Sequence, residues 1–374
     1  MKYDLIKKDI TIDIPNSKYL IDTEKNDKLA TLTSLAIQYE LSSNNIGDYV
    51  GLIAAMNPFN PVAQWIGSKP WDGISRLGDF YNTVTCSEDK RALKETLMKR
   101  WMISAVAAAF EPNGVSAHGV LVFTGPQYIG KTNWFRNLAP KSLGVLRDGM
   151  MLDPKDKDSV YQVLSNWIVE LGEVDSTFRK ADIAQLKAFL TKDKDTIRLP
   201  YRREPASFAR RTVFFASVND PKYLADPTGN RRFWTIECDK INHNHGLDMQ
   251  QVWAEVYTLY KGGEQWFLKH EEMLELNAHN EKFENESQFE DKLRDILDMD
   301  NESLPLSFMT CTNFATVLHY DKPGLRDLKM IGAAIRKITG IATPSNNNSK
   351  QGYWVRLSTN YEKEPSDGTR KAKF

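Results

Sequence analysis

Residues 125–132 read GPQYIGKT, which fills every fixed position of the phosphate-loop pattern G-x-x-x-x-G-K-[ST]. The pattern carries weight when a strand enters it and a helix leaves it. Both flanks are present: Gly119–Thr124 is an apolar run suited to a buried strand, and Thr132–Leu138 can start a helix. The chemistry follows from the residue types. Gly125 and Gly130 allow a tight turn whose N–H groups point inward at phosphate oxygens, and a helix start near Lys131 adds its positive end. Lys131 is placed to reach the β- and γ-phosphates, and the Thr132 hydroxyl to hold Mg2+. The expected cradle for ATP therefore runs through Gly125, Pro126, Gln127, Tyr128, Ile129, Gly130, Lys131, Thr132 and Asn133. The competing explanation is a glycine turn with a chance lysine.

The rest of the composition is neutral on function. The chain has 374 residues, room for two or three domains, with 41% hydrophobic and 26% charged residues, as in ordinary globular proteins. Lys+Arg and Asp+Glu both number 49, so any nucleic-acid surface must be local. Cys86, Cys238 and Cys311 lie far apart, without a C-x-x-C pair. His243 and His245 follow Cys238, but no second ligand cluster supports a metal site there. The start MKYDLIKKDI lacks the apolar core of a signal peptide, and no apolar run approaches the roughly 20 residues that cross a bilayer. A cytoplasmic protein without a membrane partner is expected.

Outward from the loop, the pattern is an α/β core between two smaller parts. Residues 1–110 read as mainly helical, with helices over Lys28–Leu41 and Arg91–Phe110 and a Pro- and Gly-rich piece between. From 111 to 270, the strand-like runs Gly119–Thr124, Trp167–Leu171, Thr212–Val218 and Trp234–Glu237 alternate with helices, which predicts a largely parallel sheet. Residues 271–303 read as a solvated acidic helix or linker; 271–302 hold twelve acidic and three basic residues. Residues 304–374 give a helix at Thr312–Leu318, a longer one at Leu325–Thr339, then GIATPSNNNSKQGYWVRL as a hairpin. That is the order of a winged helix, with Arg326, Lys329, Arg336 and Lys337 available to DNA phosphates. A small helical cap with ordinary surface lysines is the alternative.

A phosphate loop needs an acid at the end of a neighbouring strand. In NWIVELGEVD, Glu170 and Glu173 stand at or near that end, with Asp175 beyond. A glutamate inside an apolar strand is costly unless paired or metal-bound, so Glu170 and Glu173 read as Mg2+ ligands with Glu173 the better placed to activate water, a structural salt bridge being the alternative for either. RTVFFASVND ends its strand at Asn219, in position to orient water or touch a γ-phosphate. TGNRRFW follows, and the guanidinium of Arg231 or Arg232 is suited to a neighbouring subunit's nucleotide, although the pair taken alone reads equally as surface salt bridges and only the order of the motifs favours the trans role.

In order, these motifs resemble the virulence-associated protein E family, a phage- and mobile-element-borne group similar to superfamily 3 helicases. The resemblance rests on NPFNPVAQWIGSKPWDGISRL, KRWMISAVAAAF, GPQYIGKT, NWIVELGEVDSTFRKADIAQLKAFLT, DTIRLPYRREPASFARRTVFFASVND and DPTGNRRFW, over about residues 57–240. It implies an AAA+-like P-loop ATPase core, a homo-hexameric ring, DNA replication and 3′-to-5′ travel. Some relatives carry a primase ahead of the ATPase. No acidic metal-binding pattern marks one here, so a separate primase or replication partner is expected.

The resemblance also implies a hairpin that tracks single-stranded DNA. IRLPY and FARRTVFF can pair around RREPAS, with Arg202 and Arg203 at the tip and Tyr201 free to stack on a base. Residues 179–211 carry ten Lys/Arg against four Asp/Glu, a basic strip in a neutral chain. The expected function is thus an ATP-dependent DNA helicase or replication ATPase. The rivals are a DNA-binding scaffold that uses ATP only to assemble, and a P-loop kinase.

Overall fold

The structure is a computed structural model. It describes residues 1–20, 22–172, 185–186, 188–197, 205–224, 230–284, 288–320, 322–347 and 349–358. The chain divides into two compact units, Met1–Glu284 and Asn285–Phe374.

The first unit opens on a small sheet in which β1 (Lys2–Asp4) lies antiparallel to β2 (Asp9–Thr11) and parallel to β3 (Pro58–Phe59). Helices α1 (Glu24–Gln38) and α2 (Ile46–Ala55) fill the intervening chain. Then come α3 (Pro61–Ile66), α4 (Leu77–Asn82), β4 (Val84–Thr85) and the long helix α5 (Arg91–Phe110). Most side chains of α5 are buried, and it lies in one core with the sheet strands that follow. Trp101 on α5 donates to the Phe214 carbonyl at 2.7 Å, and Trp167 donates back to the Ala105 carbonyl at 2.8 Å. Each indole thereby buries its ring without orphaning its N–H.

The central sheet comprises β5 (Val120–Thr124), β6 (Leu146–Met150), β7 (Ile168–Leu171), β10 (Val213–Val218) and β11 (Phe233–Glu237). Its order is β11-β5-β10-β7-β6, with every neighbouring pair parallel. Strands covered on both faces read as continuous apolar runs, and β5, β7 and β10 are such runs. Alternate residues feed two cores: Leu121, Phe123 and Phe215 on one face, Val120, Val122 and Phe214 on the other. β6 is an edge strand, LRDGM, with alternating exposure. Helices α6 (Lys131–Arg136) and α7 (Lys157–Leu164) lie between the first strands in chain order, and α8 (Met249–Lys261) and α9 (His270–Asn280) follow the last. A two-residue strand, β12 (Lys240–Ile241), pairs antiparallel with β4.

Register aligns the strand ends. Val218 and Glu237 both pair with Thr124, and Leu171 pairs with Ala216. Loops that leave these ends therefore meet at one edge, where open parallel sheets bind ligands.

A hairpin exists, and its described ladder shares only Ile197, Phe208 and Ala209 with the pairing read from sequence. β8 (Lys194–Ile197) pairs with β9 (Ala206–Ala209) in the register Lys194↔Ala209 to Ile197↔Ala206. The tip, with Tyr201, Arg202 and Arg203, lies outside the described residues. Arg210 and Arg211 leave the ladder and turn inward. Arg210 is buried, pairs with Asp195 at 2.6 Å and stacks on Phe189 at 4.1 Å. Arg211 donates to the carbonyls of Ala109, Glu111 and Pro112 at the end of α5. These two charges anchor the hairpin base, so the local basic excess overstates what is free for a phosphate chain.

Part of the acidic stretch is likewise structural. Glu272 on α9 pairs with the buried Arg100 of α5 at 2.8 Å, and Leu276, His279 and Asn280 are buried. In the second unit, β13 (Leu306–Met309), β14 (Ser345–Asn347) and β15 (Lys350–Arg356) form an antiparallel sheet in the order β13-β15-β14. Its helices are α10 (Gln288–Ile296), α11 (Cys311–Val317) and α12 (Leu325–Thr339). Their core joins Phe289, Leu293, Phe314, Ile331, Ile335 and Val355. Among the described residues, no helix is long and apolar enough to cross a membrane.

Candidate functional site

The loop after β5 adopts a conformation that its glycines permit. Gly125 has φ +149° and Gly130 φ +99°. A Cβ at Gly125 would stand 2.4 Å from the Cys238 carbonyl oxygen, and one at Gly130 2.6 Å from His243 Nδ1. Both positions therefore exclude side chains by backbone angle and by space. Between them Tyr128, at φ +66°, projects fully exposed. Helix α6 starts at Lys131 but has only six residues. It aligns few peptide dipoles, so any attraction for an anion here would rest mainly on the loop N–H groups and Lys131.

A cavity of about 430 Å³ opens over this loop, lined by Gln127, Tyr128, Gly130, Lys131, Thr132, Asn133, Ser217 and Asn219. Lys131 is buried, and its Nζ donates to the carbonyls of Gly125 (2.7 Å) and Pro126 (2.8 Å) and to Asn219 Oδ1 (2.9 Å). Burial pushes its pKa below the usual lysine value. Its three hydrogen-bond acceptors are neutral, while the Glu170 carboxylate opposes the shift from a distance, so the ammonium keeps capacity for an anionic partner.

Glu170 sits on β7 with its side chain in the interior. Its Oε1 accepts from Ser217 Oγ at 2.6 Å and from Thr132 Oγ1 at 3.1 Å. Burial raises its pKa, and these two hydroxyls partly offset the rise. Thr132 and Glu170 thus present a hydroxyl and a carboxylate oxygen in contact beside Lys131, the hard oxygen pair that suits Mg2+. Among the described residues, no group of three or more His, Cys, Asp or Glu could hold a metal alone, so the nucleotide itself would complete such a site.

Of the sequence candidates, the structure brings together Lys131, Thr132, Glu170 and Asn219. Glu173 and Asp175 lie outside the described residues, as do Tyr201, Arg202 and Arg203. Arg231 and Arg232 are elsewhere. They form a single 3-10 turn just before β11, whose first residue pairs with Val120 and whose last pairs with Thr124. They therefore lie at the opposite edge of the sheet from the phosphate loop, one strand length or about 13 Å away along the strand. Arg231 is exposed; Arg232 is half-buried, with an Nε that has no partner among the described residues. Burial, then Arg231, lowers the Arg232 pKa.

In the second unit, Arg336 donates to the Tyr353 hydroxyl at 2.8 Å and Lys337 pairs with Glu290 at 2.8 Å. Lys337 is thus neutralised within its own unit. Sequence reading missed Ser217, two residues before Asn219 on β10, and His243, whose ring walls the loop at Gly130. Ser217 stands on the strand beside Glu170, a cross-strand relation that only the register reveals.

Fold and site together define a parallel α/β protein with a phosphate loop at the C-terminal edge of its sheet. The virulence-associated protein E-like domain model matches residues 66–285, and the chain belongs to that family. Among solved structures it is similar to the apo C-terminal region (305–718) of NrS-1, with 14% identity, 79% of this chain and 78% of that one covered, and a TM-score of 0.40. An A form of the same region gives 13% identity, the same coverage and a TM-score of 0.40. No curated protein matches the chain.

Proposed function

We propose that this chain is an ATP-dependent DNA helicase or replication ATPase of a phage or mobile element, working as a homo-hexameric ring on single-stranded DNA. One arrangement carries the reading. Lys131, Thr132, Glu170 and Asn219 converge at one sheet edge, while Arg231 and Arg232 sit at the other, too far to serve their own nucleotide. A site split this way is completed by a second copy.

In this reading, ATP draws Lys131 from the carbonyls of Gly125 and Pro126 onto its β- and γ-phosphates. Asn219, released from Lys131, turns to the γ-phosphate. Thr132 and Glu170 hold Mg2+, which when bound neutralises phosphate charge. Glu173 orients the attacking water, and Arg231 or Arg232 of the neighbour stabilises charge in the transition state. The hairpins, with Tyr201, Arg202 and Arg203, follow the DNA backbone in the ring's centre. The second unit is read as a winged-helix-like module in which Arg336 meets phosphate, Lys337 being offset by Glu290. A primase would be a separate partner.

The test is ATP hydrolysis with and without single-stranded DNA, beside particle mass with and without ATP and strand separation on a forked duplex. The helicase reading expects DNA-stimulated hydrolysis, a particle of several subunits and duplex opening. Slow hydrolysis indifferent to DNA, without strand separation, would instead identify an ATP-regulated DNA-binding initiation scaffold.

A further inference from the structure

The turn that carries Arg231 and Arg232 is gripped from outside its own strand. Asn280 ends α9 and is buried. Its Nδ2 donates to the carbonyl of Asn230 at 3.0 Å and to that of Phe233 at 2.9 Å. Those two residues flank the arginine pair. Both partners are carbonyls, which only accept, so the orientation of the amide follows from its neighbours. Asn230 donates its own Nδ2 to Glu284 Oε1 at 2.7 Å. Upstream, Leu224 N donates to the Phe283 carbonyl at 3.0 Å, and Leu224 bridges to Glu284. Residues 280–284 therefore hold the chain immediately before and after the arginines, and again at Leu224. Leu224 is five residues beyond Asn219, the partner of Lys131.

A long guanidinium on a free turn samples a wide cone, and catalysis in a second subunit tolerates little of that freedom. We propose that residues 280–284 form a clasp that positions the Arg231–Arg232 turn for a neighbouring subunit's nucleotide, with Asn280 as the positioning residue. The clasp also reaches Leu224, on the chain that leaves β10 beyond Asn219. The proposal rests on the reading of Arg231 and Arg232 as trans-acting. Asn280 is not a catalytic residue: it is buried and bonds only to the protein's own backbone.

The test is complementation between defective subunits. Asn280→Ala is compared with Arg231→Ala/Arg232→Ala and with Lys131→Ala, each first shown to be folded by circular dichroism and thermal melting. Asn280→Ala should bind ATP in its own loop within about twofold of the native protein, yet hydrolyse at least tenfold more slowly. Mixed with Lys131→Ala it should recover activity, because some interfaces join an intact loop to an intact arginine turn. Mixed with Arg231→Ala/Arg232→Ala it should stay inactive, because both lack the same half of the site. Native hydrolysis by folded Asn280→Ala overturns the clasp. So does failure of its mixture with Lys131→Ala when the arginine variant does recover with Lys131→Ala. If that control pair itself stays inactive in mixed rings, the trans reading falls, and the clasp with it. Asn280→Ser, which keeps one donor, carries the same comparison if the alanine variant fails to fold.

Discussion

Lys131 Nζ donates to Asn219 Oδ1 at 2.9 Å, a bond that joins the phosphate loop to the end of β10 across 88 residues of chain. The lysine also holds two loop carbonyls, and all three acceptors are neutral. On the proposed function, an ATP phosphate would replace them with a stronger, charge-assisted partner. The loop and the end of β10 are thus coupled through this bond, which the proposed nucleotide would compete with for the lysine.

Two substitutions separate affinity from chemistry here. Lys131→Ala should weaken ATP binding and lower hydrolysis by orders of magnitude while the melting temperature holds. Asn219→Ala should keep ATP binding and lower the hydrolysis rate about 10²–10³-fold, the scale for removing one polar contact to developing charge. Nucleotide titration and steady-state hydrolysis read the two effects. Native rates in both variants would dismiss the site.

At the hairpin, tip and base should respond differently. Arg202→Ala/Arg203→Ala should weaken single-stranded DNA binding and reduce its salt slope, since fewer counterions are released. Its stability should be native. Asp195→Ala strands Arg210 as a buried, unpaired charge, and should cost about 3–5 kcal/mol in denaturant unfolding. Equal stability of Asp195→Ala and the native protein would show that the anchor contributes nothing.

How much of this was legible in the chain follows burial. β5, β7 and β10 are buried on both faces, so they stand out as apolar runs, and the helix at 91–110 matches its pattern to the residue. β6 did not stand out because an edge strand with Arg147, Asp148 and Gly149 has no apolar run. That Lys131, Thr132, Glu170 and Asn219 come together could be anticipated, because the first two fill a fixed motif after one strand and the other two stand at the ends of neighbouring apolar strands. Ser217 and Asn280 were not. A polar side chain gains its role from what packs on it, and Asn280 lies in an acidic stretch whose composition suggests solvent. The hairpin was found but its ladder was placed too late in the chain, since the described pairing runs over Lys194–Ile197 and Ala206–Ala209, and Arg210 and Arg211 look like surface charge until Asp195 and the end of α5 are seen beside them.

Lys8 offers a pH signature away from the site. It is buried, its Nζ donates to the Leu164 carbonyl at 2.6 Å, and burial lowers its pKa from 10.5 to about 7. Arg211 and Arg210 add to the shift, while Asp195 and Asp4 oppose it. Between about pH 7 and 10.5 the unfolded chain binds the proton that the folded chain has released, so this group makes stability rise with pH across that window. Below pH 7 both states are protonated and the contribution is flat. Lys8→Met should remove this rise and make the protein more stable than native at pH 7. Parallel stability-versus-pH curves for the two proteins, measured in urea, would refute the assignment.

The two arginines of the turn should divide the work. Arg231 is exposed, and its backbone carbonyl accepts from Trp234 Nε1 at 3.2 Å. Its side chain can be removed without disturbing that bond. Arg232 is half-buried and its Nε is out of contact with solvent, so its removal disturbs buried surface. Arg231→Ala should therefore reduce ring hydrolysis by about 10³-fold or more, the lower end of what a trans arginine contributes elsewhere. Its melting temperature should be native, and activity should return on mixing with Lys131→Ala. Arg231→Lys should recover only part of the rate, because an ammonium lacks the planar fork that grips phosphate at two points. Arg232→Ala should change melting behaviour more than the hydrolysis rate of the surviving folded rings. Hydrolysis and melting curves on the three variants decide the matter. A native rate in Arg231→Ala beside a lost rate in folded Arg232→Ala would transfer the trans role to Arg232.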